Sequence, residues 1–229
     1  MYHIREMAAT TTKRRSSRVD RRTRAAREEG RDAREELLEA AAQVFAEKGF
    51  QAASVDEIAG RAGFSKGALY WHFKSKDDLF FALLEERVDG PLRTAVARFE
   101  SAPAEEDMSP QADEVLAWLV EQQRDLVLIQ AEYWALAVRD PRLRARYVKR
   151  QAEFRRAYAS AIEARLEHRG EPPLDLPAEE VATALIGAMH GLALEKLVEP
   201  EAVPAHLPGE LHALVYAGCV ARARAAAAE

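Results

Sequence analysis

The sequence has little of what would place it in a membrane or an oxidising compartment. It contains one cysteine, Cys219, so no disulfide can form within the chain and a reducing setting is expected. No apolar run approaches the roughly 20 residues that span a bilayer. Residues 1–30 lack the apolar core of a secretory signal. We therefore expect a cytoplasmic protein without a membrane segment.

Signatures of catalysis are also missing. The histidines His168, His206 and His212 are scattered, and no group of His, Cys and Asp has the spacing of metal ligands. There is neither a nucleophile elbow nor a glycine-rich phosphate loop. We expect no enzyme activity, no metal and no cofactor.

Charge is small in total and uneven in distribution. The formal net charge is −5, which by itself argues against nucleic-acid binding. Residues 1–34, however, carry +6, whereas residues 35–85 carry −4 and residues 86–229 carry −7. Positive charge collected at one end is expected when that end meets a polyanion, although basic tails are common.

Apolar residues recur at helical spacing throughout, and β-branched runs are scarce, which predicts an all-α protein. Residues 1–30 show little apolar periodicity and are interpreted as a flexible basic arm. We predict an N-terminal three-helix helix-turn-helix domain over residues 31–80 and a larger C-terminal helical domain over residues 81–229.

The first two helices have clear ends. Helix 1 is predicted from about Arg34 to Lys48, with Gly49 as its stop. Helix 2 begins at Ser54, which forms a capping box with Glu57. The predicted inward residues of these helices are Leu37, Leu38, Ala41, Val44, Phe45, Val55, Ile58, Ala59 and Ala62.

After a turn at Gly63, a short helix 3 is capped by Ser65 and ends near Phe73, and helix 4 opens after Ser75 and is interrupted at Gly90-Pro91. A linker is predicted over residues 102–110. Further helices are predicted near residues 111–122, 125–139, from 141 onward, 178–198 and 208–226. The long helix from residue 141 carries Tyr147, Gln151, Phe154, Tyr158 and Ile162 at helical spacing.

A helical wheel of helix 3 separates a buried face from an exposed one. Leu69 and Phe73 fall together and are predicted to face inward, whereas Trp71 points away from them. An exposed tryptophan is costly on an ordinary surface but suits a helix that docks on DNA, with its apolar base edges. Small residues at Gly67 and Ala68 would let the backbone approach the major groove.

Phosphate contacts are predicted around this helix. Ser54 and Ser65 lie at helix N-termini, where free N–H groups attract phosphate. Lys66 could reach a base edge or a phosphate, and Lys74 and Lys76 could reach the DNA backbone beyond it. The predicted DNA-binding residues are Ser54, Ser65, Lys66, Gly67, Ala68, Tyr70, Trp71, His72 and Lys76.

The stretch from Arg34 to Leu84, above all SVDEIAGRAGFSKGALYWHFKSKDDLFFALL, closely resembles the DNA-binding domain of the TetR/AcrR family of regulators. The segments EYWALAVRDPRLR and MHGLALEKLVEP resemble the family's C-terminal domain more loosely. Phe64 departs from the pattern, because a smaller aliphatic residue is commoner there. By this resemblance, bases are approached by Lys66, Gly67, Ala68 and Trp71, and phosphates are held by Ser65, Tyr70, His72 and Lys76.

The resemblance implies a homodimer that binds a palindromic operator in double-stranded DNA, most simply as a repressor, and is released by a small-molecule effector. The C-terminal domain would then serve ligand binding and dimerisation. Gly187, Ala188 and Gly191 allow close helix approach at a dimer interface, although packing within one chain would need the same small residues. The alternative function is a DNA-silent ligand-binding homologue of the same fold. Four intact residues argue against it: Lys66, Tyr70, His72 and Lys76.

For the effector pocket, polar or aromatic side chains inside apolar helices are the candidates, each of which could instead be core. If Glu132 or His190 lines the cavity, a ligand with a cationic or hydrogen-bonding group becomes plausible. The effector itself is not identified by the sequence. The predicted ligand-binding residues are Trp118, Gln122, Glu132, Tyr133, Trp134, Phe154, Met189 and His190.

Overall fold

The computed structural model describes residues 32–228. All regular structure in that range is helical, which confirms the predicted all-α class. The basic arm, residues 1–30, lies outside the described residues. The α-helices are residues 32–52 (α1), Val55–Arg61 (α2), Lys66–His72 (α3), Lys76–Leu84 (α4), Gly90–Ser101 (α5), Ser109–Glu121 (α6), Arg124–Arg139 (α7), Pro141–His168 (α8), Ala178–Val198 (α9) and Leu207–Ala227 (α10).

The chain divides into two compact units. Among the described residues, the first contains 32–44 and Ala53–Phe80, and the second contains Phe45–Ala52 and 81–228. The end of α1 therefore groups with the second unit, unlike in the domain division expected from sequence. Its backbone is held there by Glu132 of α7, whose carboxylate accepts hydrogen bonds from Phe50 N at 2.7 Å and Gln51 N at 2.9 Å.

Buried apolar side chains in the first unit follow the predicted helix faces. Leu37, Leu38 and Val44 of α1 are fully buried, and so is Ile58 of α2. Gly49 adopts a φ of +77°, as expected of a helix-terminating glycine. Residues on either side of it are nevertheless assigned as helical, so α1 extends beyond the predicted stop to residue 52.

Helix 4 is not interrupted at Gly90-Pro91, contrary to the prediction. Residues Glu85–Asp89 form a π-helical turn that joins α4 directly to α5. The N–H of Gly90 donates to the carbonyl of Glu85, the longer bond of a π-helix. Pro91 is the second residue of α5 and has no N–H to donate, so one backbone bond is missing beside the widened π-helical turn while the helical course continues.

Helix α8 is central to the second unit and packs against α5, α7 and α9. Its residues Ile162 and Leu166 contribute to an apolar cluster with Val181 and Leu185 of α9. Arg165 of α8 is a buried charged residue, 3% exposed. Its side chain donates hydrogen bonds to the end of α5 and to the loop after it.

The Arg165 guanidinium caps the C-terminal end of α5. It donates to the carbonyls of Phe99 at 3.4 Å, Ala102 at 3.1 Å and Glu106 at 2.6 Å. Carbonyls at a helix C-terminus carry the negative end of the helix dipole and lack partners within the helix. The buried charge is thereby satisfied, and the 102–108 loop is fixed beside α8.

Helix α9 is apolar and poorly covered. It is long and apolar enough to cross a membrane by length and composition, and 22% of its apolar window is buried. Small residues form an exposed stripe along it, and a second exposed apolar stripe follows α10. Together these stripes define the α9–α10 face, made of Ala184, Gly187, Gly191, Val198, Leu214, Ala217, Gly218 and Ala221.

Candidate nucleic-acid interface and binding cavity

In the first unit, α2 and α3 are two short helices joined by a tight turn. The turn passes through Gly63, whose φ is +76°, a conformation that glycine adopts without strain. Both helices have a serine cap: Ser54 Oγ accepts from Glu57 N at 3.2 Å, and Ser65 Oγ accepts from Ala68 N at 3.2 Å. The predicted caps are confirmed, and they hold α3 at the surface of the unit.

Helix α3 has the two faces that the wheel predicts. Leu69 is fully buried and Phe73 is 4% exposed, so this edge anchors the helix. Trp71 is 78% exposed, and Tyr70 beside it is 44% exposed. The Trp71 ring stands edge-on to the His72 ring at 4.6 Å between centroids. An aromatic surface of this size on a seven-residue helix is suited to a partner that covers it.

Basic side chains at the two ends of α3 already have partners. Lys66 Nζ lies 2.8 Å from Asp56, and this hydrogen bond raises the lysine pKa. Lys76 Nζ donates to the carbonyl of Ala53 at 2.9 Å. Burial, followed by the charge of Arg34, lowers the pKa of His72, so its ring is neutral near pH 7.

The structure brings all nine predicted DNA-binding residues into the α2–α4 segment of the first unit, and their contacts with DNA remain predictions. Six are exposed and three are half-buried. The exposed ones are Ser54, Ser65, Lys66, Gly67, Tyr70 and Trp71, and the half-buried ones are Ala68, His72 and Lys76.

The second unit contains a cavity of about 680 Å³, which is in the usual range for small-molecule sites. It is lined mainly by apolar and aromatic side chains of α5 to α10. The stripe of α8 that the sequence singled out faces it in full. Those five residues are Tyr147, Gln151, Phe154, Tyr158 and Ile162.

Four of the eight predicted ligand-binding residues line this cavity: Trp134, Phe154, Met189 and His190. Their contact with a ligand remains a prediction. The other four, Trp118, Gln122, Glu132 and Tyr133, do not line it.

Those four side chains have other surroundings, and their ligand contacts also remain predictions. Glu132 is occupied by the backbone N–H groups at the end of α1. Tyr133 is fully buried, with its ring 5.0 Å from Phe50. Gln122 ends α6 as its exposed C-cap, and Trp118 is half-buried on the same helix. Neighbours in sequence such as Glu132 and Trp134 point to different sides of α7, as helical geometry requires.

Sequence reasoning missed the principal polar group of the cavity, an ion pair between α8 and the π-helical turn. Arg150 Nε donates to Asp89 Oδ2 at 2.6 Å, and Nη2 donates to Oδ1. Burial raises the pKa of Asp89, against the lowering effect of Arg150. Arg150 could have been found from its place on α8, because it lies one turn from both Tyr147 and Phe154.

A second polar pair lies near this one. His190 Nε2 and Gln130 Nε2 are 3.2 Å apart. Burial lowers the pKa of His190, and the charge of Arg150 lowers it further, so the ring is neutral near pH 7. Among the described residues no group of three or more His, Cys, Asp or Glu side chains could hold a metal ion.

These features define a helix-turn-helix protein whose larger helical unit has a cavity of small-molecule size. A family model described as "Bacterial regulatory proteins, tetR family" matches residues 37–83. A second one, "BetI-type transcriptional repressor, C-terminal", matches residues 103–219. The chain belongs to the TetR family of bacterial transcriptional regulators.

Individual relatives resemble it to different extents. The transcriptional activator FasR of Mycolicibacterium smegmatis is 54% identical over 56 residues, which are 24% of this chain and only 26% of FasR. TtgR of Pseudomonas putida is 27% identical over 196 residues, covering 79% of this chain and 87% of TtgR. SmeT of Stenotrophomonas maltophilia, solved with triclosan, shares the fold at a TM-score of 0.60 and 24% identity, covering 82% of this chain and 92% of SmeT.

Proposed function

We propose that this protein is a homodimeric repressor that binds a palindromic operator through α3 and is released when a small molecule enters the cavity of the second unit. The observation that carries the DNA-binding part is the exposed Trp71 on a helix anchored by the buried Leu69 and presented by two serine caps. Such surface has no use inside the unit itself.

The geometry of α3 supports the proposed DNA contacts. Trp71 and the small residues Gly67 and Ala68 approach the bases, while Tyr70 and His72 donate to phosphates on either side. Lys66 exchanges its exposed carboxylate partner Asp56 for a phosphate or a base edge. Ser54 and Ser65 bring free N–H groups of helix N-termini toward the DNA backbone.

Dimerisation is supported by the α9–α10 face. Leu214 is 69% exposed and Val198 is 84% exposed, and the other residues of the face are alanines and glycines, so two copies could approach closely. Contiguous exposed apolar surface of this kind marks an interaction site. A second copy would place two recognition helices on half-sites about one DNA turn apart, which is why a palindromic operator is proposed.

Effector control is supported by the cavity. Its volume of about 680 Å³ and its aromatic walls suit a small organic molecule. A ligand that favours one arrangement of the dimer lowers operator affinity by its preference for that arrangement, typically about 5- to 150-fold. The neighbour SmeT, which was solved with triclosan, shares this fold.

The cytoplasm is the proposed compartment.

The decisive experiment is a gel-shift titration with the DNA immediately upstream of the protein's own coding region. We expect wild-type protein to shift it, and W71A to bind at least about tenfold more weakly because its base contacts are removed. V138A is the control, since Val138 is also an exposed apolar residue, at 63%, but lies in the second unit and does not line the cavity. Equal effects of the two substitutions would refute the assignment of α3.

A DNA-silent ligand-binding homologue is the alternative function. It predicts that no upstream DNA is shifted, at any protein concentration, by a protein that still binds small molecules. The same titration therefore separates the two functions.

A further inference from the structure

Among the described residues, two buried side-chain atoms lack a hydrogen-bond partner, and both belong to residues that line the cavity. They are Arg150 Nη1 and the hydroxyl oxygen of Tyr216. Buried polar groups are nearly always hydrogen-bonded, and each exception needs an explanation. Two such atoms around one cavity are positions at which a bound molecule could supply the missing partner.

Arg150 restricts what that molecule can be. Its Nε and Nη2 atoms are both engaged by Asp89, which leaves Nη1 as the spare nitrogen of the guanidinium. The side chain is 14% exposed, so water does not serve it freely. A guanidinium nitrogen donates and never accepts. The partner of Nη1 must therefore be a hydrogen-bond acceptor.

The charged residues of the cavity wall also favour an anionic ligand. Those that are buried or half-buried are three arginines and one carboxylate: Arg150, Arg155, Arg165 and Asp89. That carboxylate is already paired with Arg150. The remaining acidic residues of the lining, 105–107, are all exposed. A cationic ligand would thus find no free covered carboxylate, whereas an anion would meet an excess of positive charge.

His190 adds a group at the same end of the cavity. It feels the charge of Arg150 and pairs with Gln130 through Nε2. Because the amide nitrogen of Gln130 only donates, Nε2 accepts and the proton of the neutral ring is on Nδ1, so the ring offers a donor. The walls beyond these polar groups, such as Phe154 and Leu119, are apolar.

We propose that the effector is an apolar molecule with an anionic acceptor group, a carboxylate being the simplest, which is bound by Arg150 through Nη1. This inference rests on the proposed function in taking the cavity as the effector site. The aliphatic or aromatic body would lie along α8, beside Phe154 and Tyr158.

Three probes of equal chain length test the proposal: decanoate, decan-1-ol and decyltrimethylammonium, each kept below its micelle concentration. Binding to the full-length protein is measured by calorimetry, and release of DNA is measured separately by gel shift. We expect decanoate to bind about tenfold or more tightly than the other two, since a charged hydrogen bond is added to the same apolar contact.

The informative substitution is R150K, which keeps a positive charge beside Asp89 and removes the spare nitrogen. Its expected effect is a loss of about tenfold in decanoate affinity and a change of less than about twofold for decanol. R156K is the matched control, because Arg156 is an exposed residue of the same helix that does not line the cavity. Should R150K fail to fold, the comparison of the three probes on wild-type protein still decides.

The proposal is overturned if decanoate binds no tighter than decanol, or if the cation binds best. A cationic or neutral compound that releases DNA would leave the proposed function standing and refute only this inference. Conversely, Arg150-dependent binding of decanoate by a protein that never shifts DNA would support the inference and refute the proposed function.

Discussion

Gly49 and Gly63 have the same left-handed backbone conformation but different surroundings. Their φ angles are +77° and +76°. A Cβ atom added at Gly63 would meet nothing within 4 Å, whereas one added at Gly49 would lie 2.6 Å from Glu132 Oε2. That oxygen is held in place by its hydrogen bond from Phe50 N. An alanine at Gly63 therefore introduces backbone strain alone, whereas an alanine at Gly49 introduces the same strain and a steric contact with Glu132.

We predict that G49A destabilises the protein more than G63A. Both substitutions put alanine in a left-handed conformation, which costs roughly 1–2 kcal/mol. G49A additionally pushes Glu132 away from the two N–H groups that it accepts from, and losing such bonds to a carboxylate costs roughly 1–3 kcal/mol more. The free energy of unfolding is measured by urea denaturation followed by circular dichroism.

The E132A background provides the control for this pair. Removing the carboxylate takes away the atom that the new Cβ would meet, so the difference between the two glycine substitutions should shrink. A gap that stays the same size in E132A would show that the contact between residues 49 and 132 is not its source.

At the scale of helices, sequence periodicity predicted most of what the structure contains. The ends of α9 agree with the predicted residues 178–198, since local capping and apolar spacing are encoded nearby in the chain. The π-helical turn before Gly90 was missed, because the i to i−5 bond has no sequence signature as simple as a proline. The sequence therefore predicted a break at Gly90-Pro91, where the structure has a wider π-helical turn and no break.

Candidate site residues were predictable where they depend on one helix, and unpredictable where they depend on contacts between helices that are distant in sequence. The faces of α3 follow from a single helix, so the exposure of Trp71 and the burial of Leu69 could be derived from spacing alone. Pairing of Arg150 with Asp89 joins residues 61 positions apart and depends on how helices pack. A single sequence contains no record of such pairs, so the hydrogen bond from Phe50 N at the end of α1 to Glu132 could not be predicted either.

The α9–α10 face is the proposed dimer interface, and a charge placed on it should prevent dimerisation. Leu214 is 69% exposed and is the first and largest residue of the apolar stripe of α10. We predict that L214E converts the proposed dimer into a monomer in analytical ultracentrifugation, because two copies would bury two like charges without partners. Operator affinity should fall with it, since a monomer contacts one half-site.

The control for that substitution is V148E, on α8. Val148 is 51% exposed and lies outside the α9–α10 face, so a glutamate there should remain solvated and leave the dimer intact. Dissociation by V148E but not by L214E would assign the interface to another face of the second unit.

For the whole molecule, the charge distribution conflicts with DNA binding unless the N-terminal arm takes part. The net charge is −5, and residues 35–229 together are acidic while residues 1–34 carry +6. Long-range repulsion would oppose the approach of the acidic body to a polyanion and would be screened by salt. Positive charge concentrated at one end counters this, because each phosphate neutralised by an arginine or lysine releases condensed counterions.

We therefore predict that deleting residues 1–30 weakens binding to operator and to unrelated DNA alike, and reduces the slope of log affinity against log salt by about 0.9 for each phosphate that the arm neutralises. Affinities are measured by fluorescence anisotropy between low and moderate salt. A variant with the arm's arginines and lysines replaced by glutamine controls for length, and it should behave like the deletion. If the slope stays unchanged in both variants, the arm is a solvated tail and α3 with its flanking lysines provides the phosphate contacts on its own. A slope that falls in the deletion but is kept in the glutamine variant would refute counterion release by the arm, because the charge of its arginines and lysines would then contribute nothing.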